Sequence, residues 1–169
     1  MILTVSTLPS PVGPLSLACD AGGRLRGVSF GEGPGKAMQR EYPAAVLTPG
    51  ETPQAVRAGL EAYFAGDPAA LDRVPWTLDG APAAEGFQAR VWRALAEIPA
   101  GLTISYGEMA RRAGEPGAAQ AAGVALNRNP IAVVLPCHRV VGADGAMVGF
   151  GGGLERKTWL LRHEGALLL

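Results

Sequence analysis

The sequence contains few of the residues that metal centres, disulfides and membrane spans require. Of its 169 residues, two are cysteines (Cys19 and Cys137) and two are histidines (His138 and His163). One disulfide at most can form. A four-ligand zinc site would need all four residues, and the adjacency of Cys137 and His138 makes that geometry awkward. No apolar run approaches the ~20 residues of a membrane helix. We therefore expect no metal, no other cofactor and no membrane contact.

The N-terminus also lacks the basic residues of an export signal. The first ten residues, MILTVSTLPS, contain no lysine or arginine, so we expect a cytoplasmic protein with reduced thiols. With 48% hydrophobic and 18% charged residues, the chain is expected to form a packed core rather than to be disordered.

The net charge of zero conceals an asymmetry along the chain. Residues 1–85 contain 6 Lys+Arg and 9 Asp+Glu, a net charge of −3, whereas residues 86–169 contain 9 and 6, a net charge of +3. A basic half indicates contact with nucleic acid, although chance also produces such a difference. The loop-like stretch DGAPAAEG (79–86) predicts a boundary between domains 1–82 and 83–169.

The N-terminal half has the pattern of a small sheet with a helix. Partly alternating apolar residues predict strands at 2–8, 12–19 and 24–30, with the DAGG turn between the last two. A helix is predicted over 53–65, and VPWTL (74–78) suggests another strand.

The C-terminal half is predicted to be mostly helical. Helices are expected at 87–98 and 153–165, the last with Leu154, Trp159 and Leu161 as core anchors. Between them, the capping box formed by Ser105 and Glu108 opens a short helix that Gly114 ends, and a second helix starts at Pro116. These proportions are those of a helix-turn-helix, or equally of an ordinary helical hairpin. The fold class expected is α/β (α+β).

The second helix, PGAAQAAGVALN, consists almost entirely of small residues. An ordinary helix is about 10–12 Å wide, whereas the minor groove of DNA is only about 6 Å wide. Small side chains would let a helix enter that groove and bind by shape and phosphate contacts. They also suit close packing between helices, so this pattern leaves both interpretations open.

The stretch NPIAVVLPCHRVVG (129–142) carries the candidate chemistry. Its apolar run 131–135 predicts a buried strand, and a buried cysteine is usually inert. A thiolate beside an imidazole can be a nucleophile, but neighbours on a strand face opposite ways, so Cys137 and His138 would need a bend after Pro136 or a bridging water. Glu164, in a helix-end position that disfavours negative charge, is the candidate to orient His138; a solvated carboxylate is the alternative. Asn129 could hold the turn.

In this context the sequence closely resembles the O6-alkylguanine-DNA alkyltransferases. The resemblance is carried by PCHRVVG, by the NP before it, and by the glycine-rich loop and GLERKTWLLRHEG after it. SPVGPLSLACDAGGRLRGVSF is similar to their N-terminal hairpin, and EGFQARVWRALAEIPAGLTISYGEMARRAG to the start of their active domain. Nearly the whole chain is covered. The resemblance implies a ribonuclease H-like N-terminal domain and a C-terminal domain with a helix-turn-helix.

The resemblance also implies a reaction. A monomer would bind double-stranded DNA through the minor groove, flip O6-alkylguanine out of the duplex and transfer the alkyl group irreversibly to Cys137. His138 would act as base through a water, Glu164 would orient His138, Asn129 would hold the active-site turn, and Tyr106 would contact the flipped base.

Further site residues follow by position in the family pattern. The implied DNA contacts are Ala119, Gln120, Gly123, Arg128 and Arg139. The implied substrate pocket is formed by Leu126, Ala132, Val140, Phe150, Gly151 and Gly152.

Three of these residues depart from what the family generally has, and a fourth differs from some relatives. Gln120 replaces the arginine that fills the space of the flipped base. Phe150 replaces a tyrosine and loses its hydroxyl, and Gly151 replaces a serine or alanine and loosens the loop over the base. Ala132 stands where some relatives have proline, which would admit bulkier alkyl groups.

Two other functions fit the same residues. One is a protein that binds alkylated DNA with weak or no transfer, which Gln120 and Phe150 favour; relatives of that kind lack the cysteine that this chain has. The other is a cysteine hydrolase using Cys137 and His138. That enzyme would need an oxyanion hole and a base remote in sequence, and His163 is the one remaining histidine.

Overall fold

A computed structural model describes residues 1–81, 84–142 and 152–166. The chain forms two compact units, and the division does not follow the sequence order throughout. The first unit is Met1–Pro82 with Pro130–Val134, and the second is Ala83–Asn129 with Leu135–Leu169. The short segment 130–134 therefore belongs to the first unit although it lies late in the chain.

The first unit is built on a four-stranded sheet. Its strands are β1 (Ile2–Leu8), β2 (Leu15–Cys19), β3 (Leu25–Phe30) and β4 (Val46–Pro49), in the order β3-β2-β1-β4. β1–β2 and β2–β3 pair antiparallel, and β1–β4 pair parallel. The three predicted strands are confirmed, the second starting at Leu15 rather than 12. β4 was not predicted, since its four residues carry no alternation.

Two helices and a 3₁₀ helix complete the first unit: α1 (Lys36–Glu41), α2 (Gln54–Phe64) and Pro68–Arg73. The predicted helix over 53–65 is α2, and it buries Val56, Leu60 and Tyr63 along one face. The strand suggested at 74–78 is wrong, because Trp76 makes only a single bridge with Leu25.

The apolar run 131–135 is not a strand either. Ile131 makes a single bridge with Val28, and Val133 has φ = 69°. That left-handed conformation is rare for a β-branched residue and turns the chain out of an extended path. The run is nevertheless buried. The prediction of burial is therefore confirmed, and the prediction of an extended strand is wrong.

The second unit is mostly helical. It contains α3 (Phe87–Leu95), β5 (Ile104–Ser105), α4 (Tyr106–Arg112), α5 (Ala119–Asn127), a 3₁₀ helix (Cys137–Arg139), β6 (Val140–Val141) and α6 (Leu154–His163). β5 and β6 pair parallel. The fully buried Trp92 of α3 donates its indole N–H to the Ala125 carbonyl of α5 at 2.8 Å, which ties the two helices together.

α4 and α5 form the predicted helix-turn-helix. The Ser105 hydroxyl accepts from the Glu108 amide at 3.1 Å, as the capping box requires. Gly114 and Gly117 turn the chain with φ of 87° and 88°. α5 begins at Ala119, three residues after the predicted start.

α6 buries a different face from the one expected. Leu161 is buried as predicted, but Leu154 is 50% exposed and Trp159 is only partly buried. The interior positions are taken by Lys157, Leu160 and Leu161. None of the helices in the described ranges is long and apolar enough to cross a bilayer.

Candidate active site and helix-turn-helix

Cys137 begins a 3₁₀ helix at the end of the buried run. Pro136 precedes it, and the Cys137 amide donates to the Leu135 carbonyl at 2.8 Å. The bend that the sequence required after Pro136 is therefore present. Cys137 is a free thiol with 9% of its surface exposed.

Asn129 also stabilises this turn, at the same Leu135 carbonyl. Its side-chain amide donates to the Leu135 carbonyl at 2.8 Å, and it also hydrogen-bonds the Cys137 sulfur. The structure thus brings Asn129 to the nucleophile, in the place that the resemblance implied.

His138 and Glu164 form a buried pair. The His138 Nε2 atom lies 2.8 Å from Glu164 Oε2, and both side chains are fully buried. Burial lowers the pKa of His138, so the ring is neutral near pH 7. An ionised carboxylate accepts only, so Nε2 carries the hydrogen and Nδ1 keeps a lone pair. Among the described residues, Nδ1 has no hydrogen-bond partner, which leaves it open to accept a proton.

Arg139 is not at the surface, contrary to the expectation that it contacts DNA. It is 4% exposed, and its Nε and Nη2 donate to Glu164 Oε1 and Oε2 at 2.8 and 2.9 Å. Its Nη1 donates to the Ile98 carbonyl at 2.5 Å. Arg139 therefore bonds both carboxylate oxygens of Glu164, one of which also pairs with His138, and its buried position is closed to DNA. Burial raises the pKa of Glu164, but hydrogen bonds from His138 and Arg139 outweigh it and lower the pKa to about 2.

Lys157 is a site residue that the sequence reasoning missed. It is fully buried and donates from Nζ to the Val140 carbonyl at 2.7 Å. Burial lowers its pKa, while the Cys137 charge opposes that change. A sequence signal existed, because Lys157 lies three and four residues before Leu160 and Leu161 and so shares their face of the helix.

Opposing influences act on the pKa of the Cys137 thiol. Burial, the largest, raises its pKa. The Asn129 amide, the charge of Lys157 and the backbone N–H groups of Cys137 and His138 lower it. The pKa remains above its ordinary value, so the free protein holds a thiol and needs a nearby base to form the thiolate. Nδ1 of His138 is the available base.

Tyr106 lies close to this thiol. Burial and the charge of Cys137 both raise the pKa of its phenol. A Cβ added to Gly123 of α5 would lie 3.9 Å from the Tyr106 ring atoms Cδ1 and Cε1, so the ring packs against the inner edge of α5.

The remaining predicted residues are spread over several environments. Gln120 and Arg128 are exposed on and just after α5, whereas Ala119 and Gly123 are partly buried. Leu126 and Val140 are buried, and the Gly152 carbonyl accepts from Arg156 at 3.1 Å. Ala132 belongs to the first unit. Phe150 and Gly151 lie outside the described residues, so their pocket roles remain predictions.

Cys19 has none of the features of the nucleophile. It is buried on β2, and burial together with the charge of Asp20 raises its pKa to about 12. Within the described ranges, no three His, Cys, Asp or Glu side chains are grouped so that they could hold a metal ion.

Known proteins are similar to this chain over most of its length. A family model described as 6-O-methylguanine DNA methyltransferase, DNA binding domain, matches residues 86–166. The methylated-DNA–protein-cysteine methyltransferase of Shigella flexneri is 41% identical, with 96% of this chain and 95% of the relative covered. That of Methanosarcina acetivorans is 44% identical, covering 93% and 95%. The crystal structure of Mycobacterium tuberculosis OGT in complex with DNA has a TM-score of 0.75 and 39% identity, covering 98% and 94%. The chain belongs to the family of methylated-DNA–protein-cysteine methyltransferases.

Proposed function

We propose that this protein repairs O6-alkylguanine in double-stranded DNA by transferring the alkyl group to its own Cys137, once per molecule. The observation that carries the proposal is the buried Glu164–His138 pair beside Cys137. It fixes the histidine tautomer so that the free Nδ1 lone pair is the proton acceptor. That is the relay that a nucleophilic thiol with a raised pKa requires.

The reaction follows from these groups. Nδ1 of His138 takes the thiol proton through a water, and the Lys157 charge stabilises the thiolate that forms. The sulfur attacks the alkyl carbon, a carbon–sulfur bond forms, and the carbon–oxygen bond to guanine breaks. The electron pair of that bond stays on guanine, which takes up the proton that His138 received from the thiol. The product is a thioether.

Access to the base requires DNA to be opened. The O6 atom lies in the stacked duplex, so the nucleotide must be flipped out before the thiol can reach the alkyl carbon. We propose that α5 enters the minor groove as part of a monomer, with Tyr106 at the flipped base. The small residues of α5 support this, because the groove is about half as wide as an ordinary helix.

The test is the stoichiometry of transfer from a duplex carrying O6-methylguanine. One methyl group per protein molecule is expected, adding about 14 Da to the peptide that contains Cys137 and nothing to the peptide that contains Cys19. Turnover beyond one equivalent, or an adduct on Cys19, would contradict the mechanism.

A lesion-binding protein without transfer is the second candidate. The raised pKa of Cys137 and the glutamine at position 120 favour it. The same experiment separates the two, because such a protein would bind the O6-methylguanine duplex tightly and gain no mass. A hydrolase would release a product and also gain no lasting mass.

Gln120→Arg is expected to speed transfer from duplex DNA. Gln120 is exposed in the first turn of α5. Flipping costs a few kcal/mol, and an arginine fills more of the vacated space and adds hydrogen bonds and charge. Transfer from the free base O6-benzylguanine needs no flipping and should change little. Equal acceleration of both reactions would indicate a general effect instead, and unchanged duplex transfer would show that Gln120 is not limiting.

A further inference from the structure

A cavity of about 190 Å³ lies in the first unit, where α1 ends and the chain turns toward β4. Its walls are formed by Met1, Tyr42, residues 43–45 and Gly80, and Glu41 also lines it. All of these residues belong to Met1–Pro82. The cavity therefore shares no residue with the site around Cys137, and most of its wall is apolar.

The Glu41 carboxylate is buried at this cavity without a partner. Glu41 is the last residue of α1 and is 5% exposed. Its Oε1 atom accepts no hydrogen bond from any described residue, the Met1 amino group included. Taking a carboxylate out of water without pairing it is costly, and the end of a helix disfavours a negative charge. The position therefore favours a cation that the described residues do not supply.

Arg26, a buried cation of the same unit, is already engaged. Its Nε donates to Asp20 Oδ2 at 3.0 Å, and its Nη1 donates to the Asp79 carbonyl. Its guanidinium lies over the Tyr42 ring, 5.4 Å from the centroid. Burial raises the pKa of the Tyr42 phenol, Arg26 opposes this, and the charges of Glu41 and Asp79 raise it further. Arg26 thus serves Asp20 and Tyr42 and leaves the Glu41 charge uncompensated.

We propose that this cavity binds a small alkylguanidinium, with the guanidinium on the Glu41 carboxylate and a short apolar stem against Met1 and residues 43–45. A guanidinium is planar and can bond a carboxylate through two N–H groups at once. It is also more weakly hydrated than an ammonium, so it loses less on entering a mostly apolar cavity. Cavities for drug-sized ligands measure about 300–1,000 Å³, so this one holds a head group with a short stem and excludes a nucleotide.

The experiment titrates the wild-type protein with 1-butylguanidinium at constant ionic strength, followed by ¹H–¹⁵N NMR and by the melting temperature. We expect a dissociation constant of about 1 mM for a ligand of this size. Amide shifts should be confined to residues 41–45 and their neighbours at Met1 and Gly80. At about 10 mM ligand the melting temperature should rise by about 3 °C.

Three further ligands define the chemistry of the site. 1-Butanol has a similar stem without charge and should cause no shift, and n-butylammonium should cause a smaller one. A capped Gly-Arg-Gly peptide carries the same head group on a protein backbone and should bind more weakly. An equal effect of butanol, a larger effect of butylammonium or tighter binding of the peptide would each overturn the assignment to a small alkylguanidinium.

Three variants test the residues. Glu41→Gln should abolish binding and, without ligand, should melt no lower than the wild type, because an unpaired buried charge is removed. Ala44→Leu keeps the carboxylate but fills part of the cavity, and should weaken binding. Glu32→Gln is the matched control, since Glu32 is exposed in the same unit and does not line the cavity, and it should bind like the wild type.

Wild-type protein without amide shifts, or Glu41→Gln with the same shifts, would overturn the proposal. So would a lower melting temperature of ligand-free Glu41→Gln, since the carboxylate would then already be paired. Methyl transfer to Cys137 should be the same in all three variants and with or without ligand. The proposed repair function is therefore tested separately, by the mass gained from the O6-methylguanine duplex.

Discussion

Glu164→Gln is expected to slow transfer by at least about 100-fold, with duplex binding largely retained. The loss of an oriented base accounts for a reduction of this order. Glutamine is neutral, so it cannot balance the charge of the buried Arg139, and its amide group can present N–H to His138 instead of an acceptor. Because one partner of a buried ion pair is removed, the free energy of unfolding should also fall by about 3 kcal/mol.

The same substitution should change the response to acid. The pKa of Glu164 is about 2 in the folded protein, below its ordinary value of 4.5. Its contribution to stability is therefore complete above about pH 4.5 and is lost as the pH falls toward 2. Urea unfolding measured from pH 7 to 3 should show a smaller acid loss in Glu164→Gln than in the wild type.

Glu155→Gln supplies the control for Glu164, because Glu155 is exposed in the first turn of the same helix. It should alter neither transfer nor acid stability. If Glu164→Gln transferred at the wild-type rate, Glu164 would be a purely structural residue and His138 would need no orienting partner.

Lys157→Met is expected to slow transfer about tenfold at pH 7. Removing the buried positive charge takes away one of the influences that lower the pKa of Cys137, so the pKa moves further upward and less thiolate is available. One pKa unit corresponds to a tenfold change. The rise of the transfer rate with pH should shift to higher pH, and a direct titration of the thiol should shift with it.

This substitution acts on the nucleophile and not on the DNA. Transfer from duplex and from free O6-benzylguanine should therefore fall by the same factor, unlike the result expected for Gln120. Arg162→Met removes an exposed positive charge from the same helix. It should leave the pH dependence of the transfer rate unchanged. An unchanged pH profile in Lys157→Met would limit Lys157 to its hydrogen bond with the Val140 carbonyl.

Local sequence signals predicted the parts of this fold that local interactions determine. The DAGG turn between β2 and β3 and the cap of Ser105 on α4 involve residues within a few positions of each other. The pairing of His138 with Glu164 was also predicted, because a carboxylate in the last turn of a helix is unfavourable unless it has a partner.

Where the sequence-based predictions fail, the burial or backbone conformation of the residue is set by tertiary structure. Lys157 and Arg139 are charged and would ordinarily face solvent, and only the partners around them make burial tolerable. Val133 adopts a left-handed conformation that its own chemistry disfavours, so the packing around it must impose that conformation. Trp159 and Leu154 followed the apolar pattern of α6, but the helix is rotated so that Lys157 and Leu160 face inward.

The five residues Pro130–Val134 belong to the first unit, although they stand in the sequence between two parts of the second. The chain leaves the second unit after Asn129, contributes a bridge to β3 through Ile131, and returns at Leu135. Asn129 and Leu135, hydrogen-bonded to each other, close this excursion two residues before the nucleophile. A fragment cut at the domain boundary would keep every reactive side chain but would leave Ile131, Val133 and Val134 without the sheet that buries them. The first unit is thus complete only when a segment from late in the chain is included, and the two units are not separable by a single cut in the sequence.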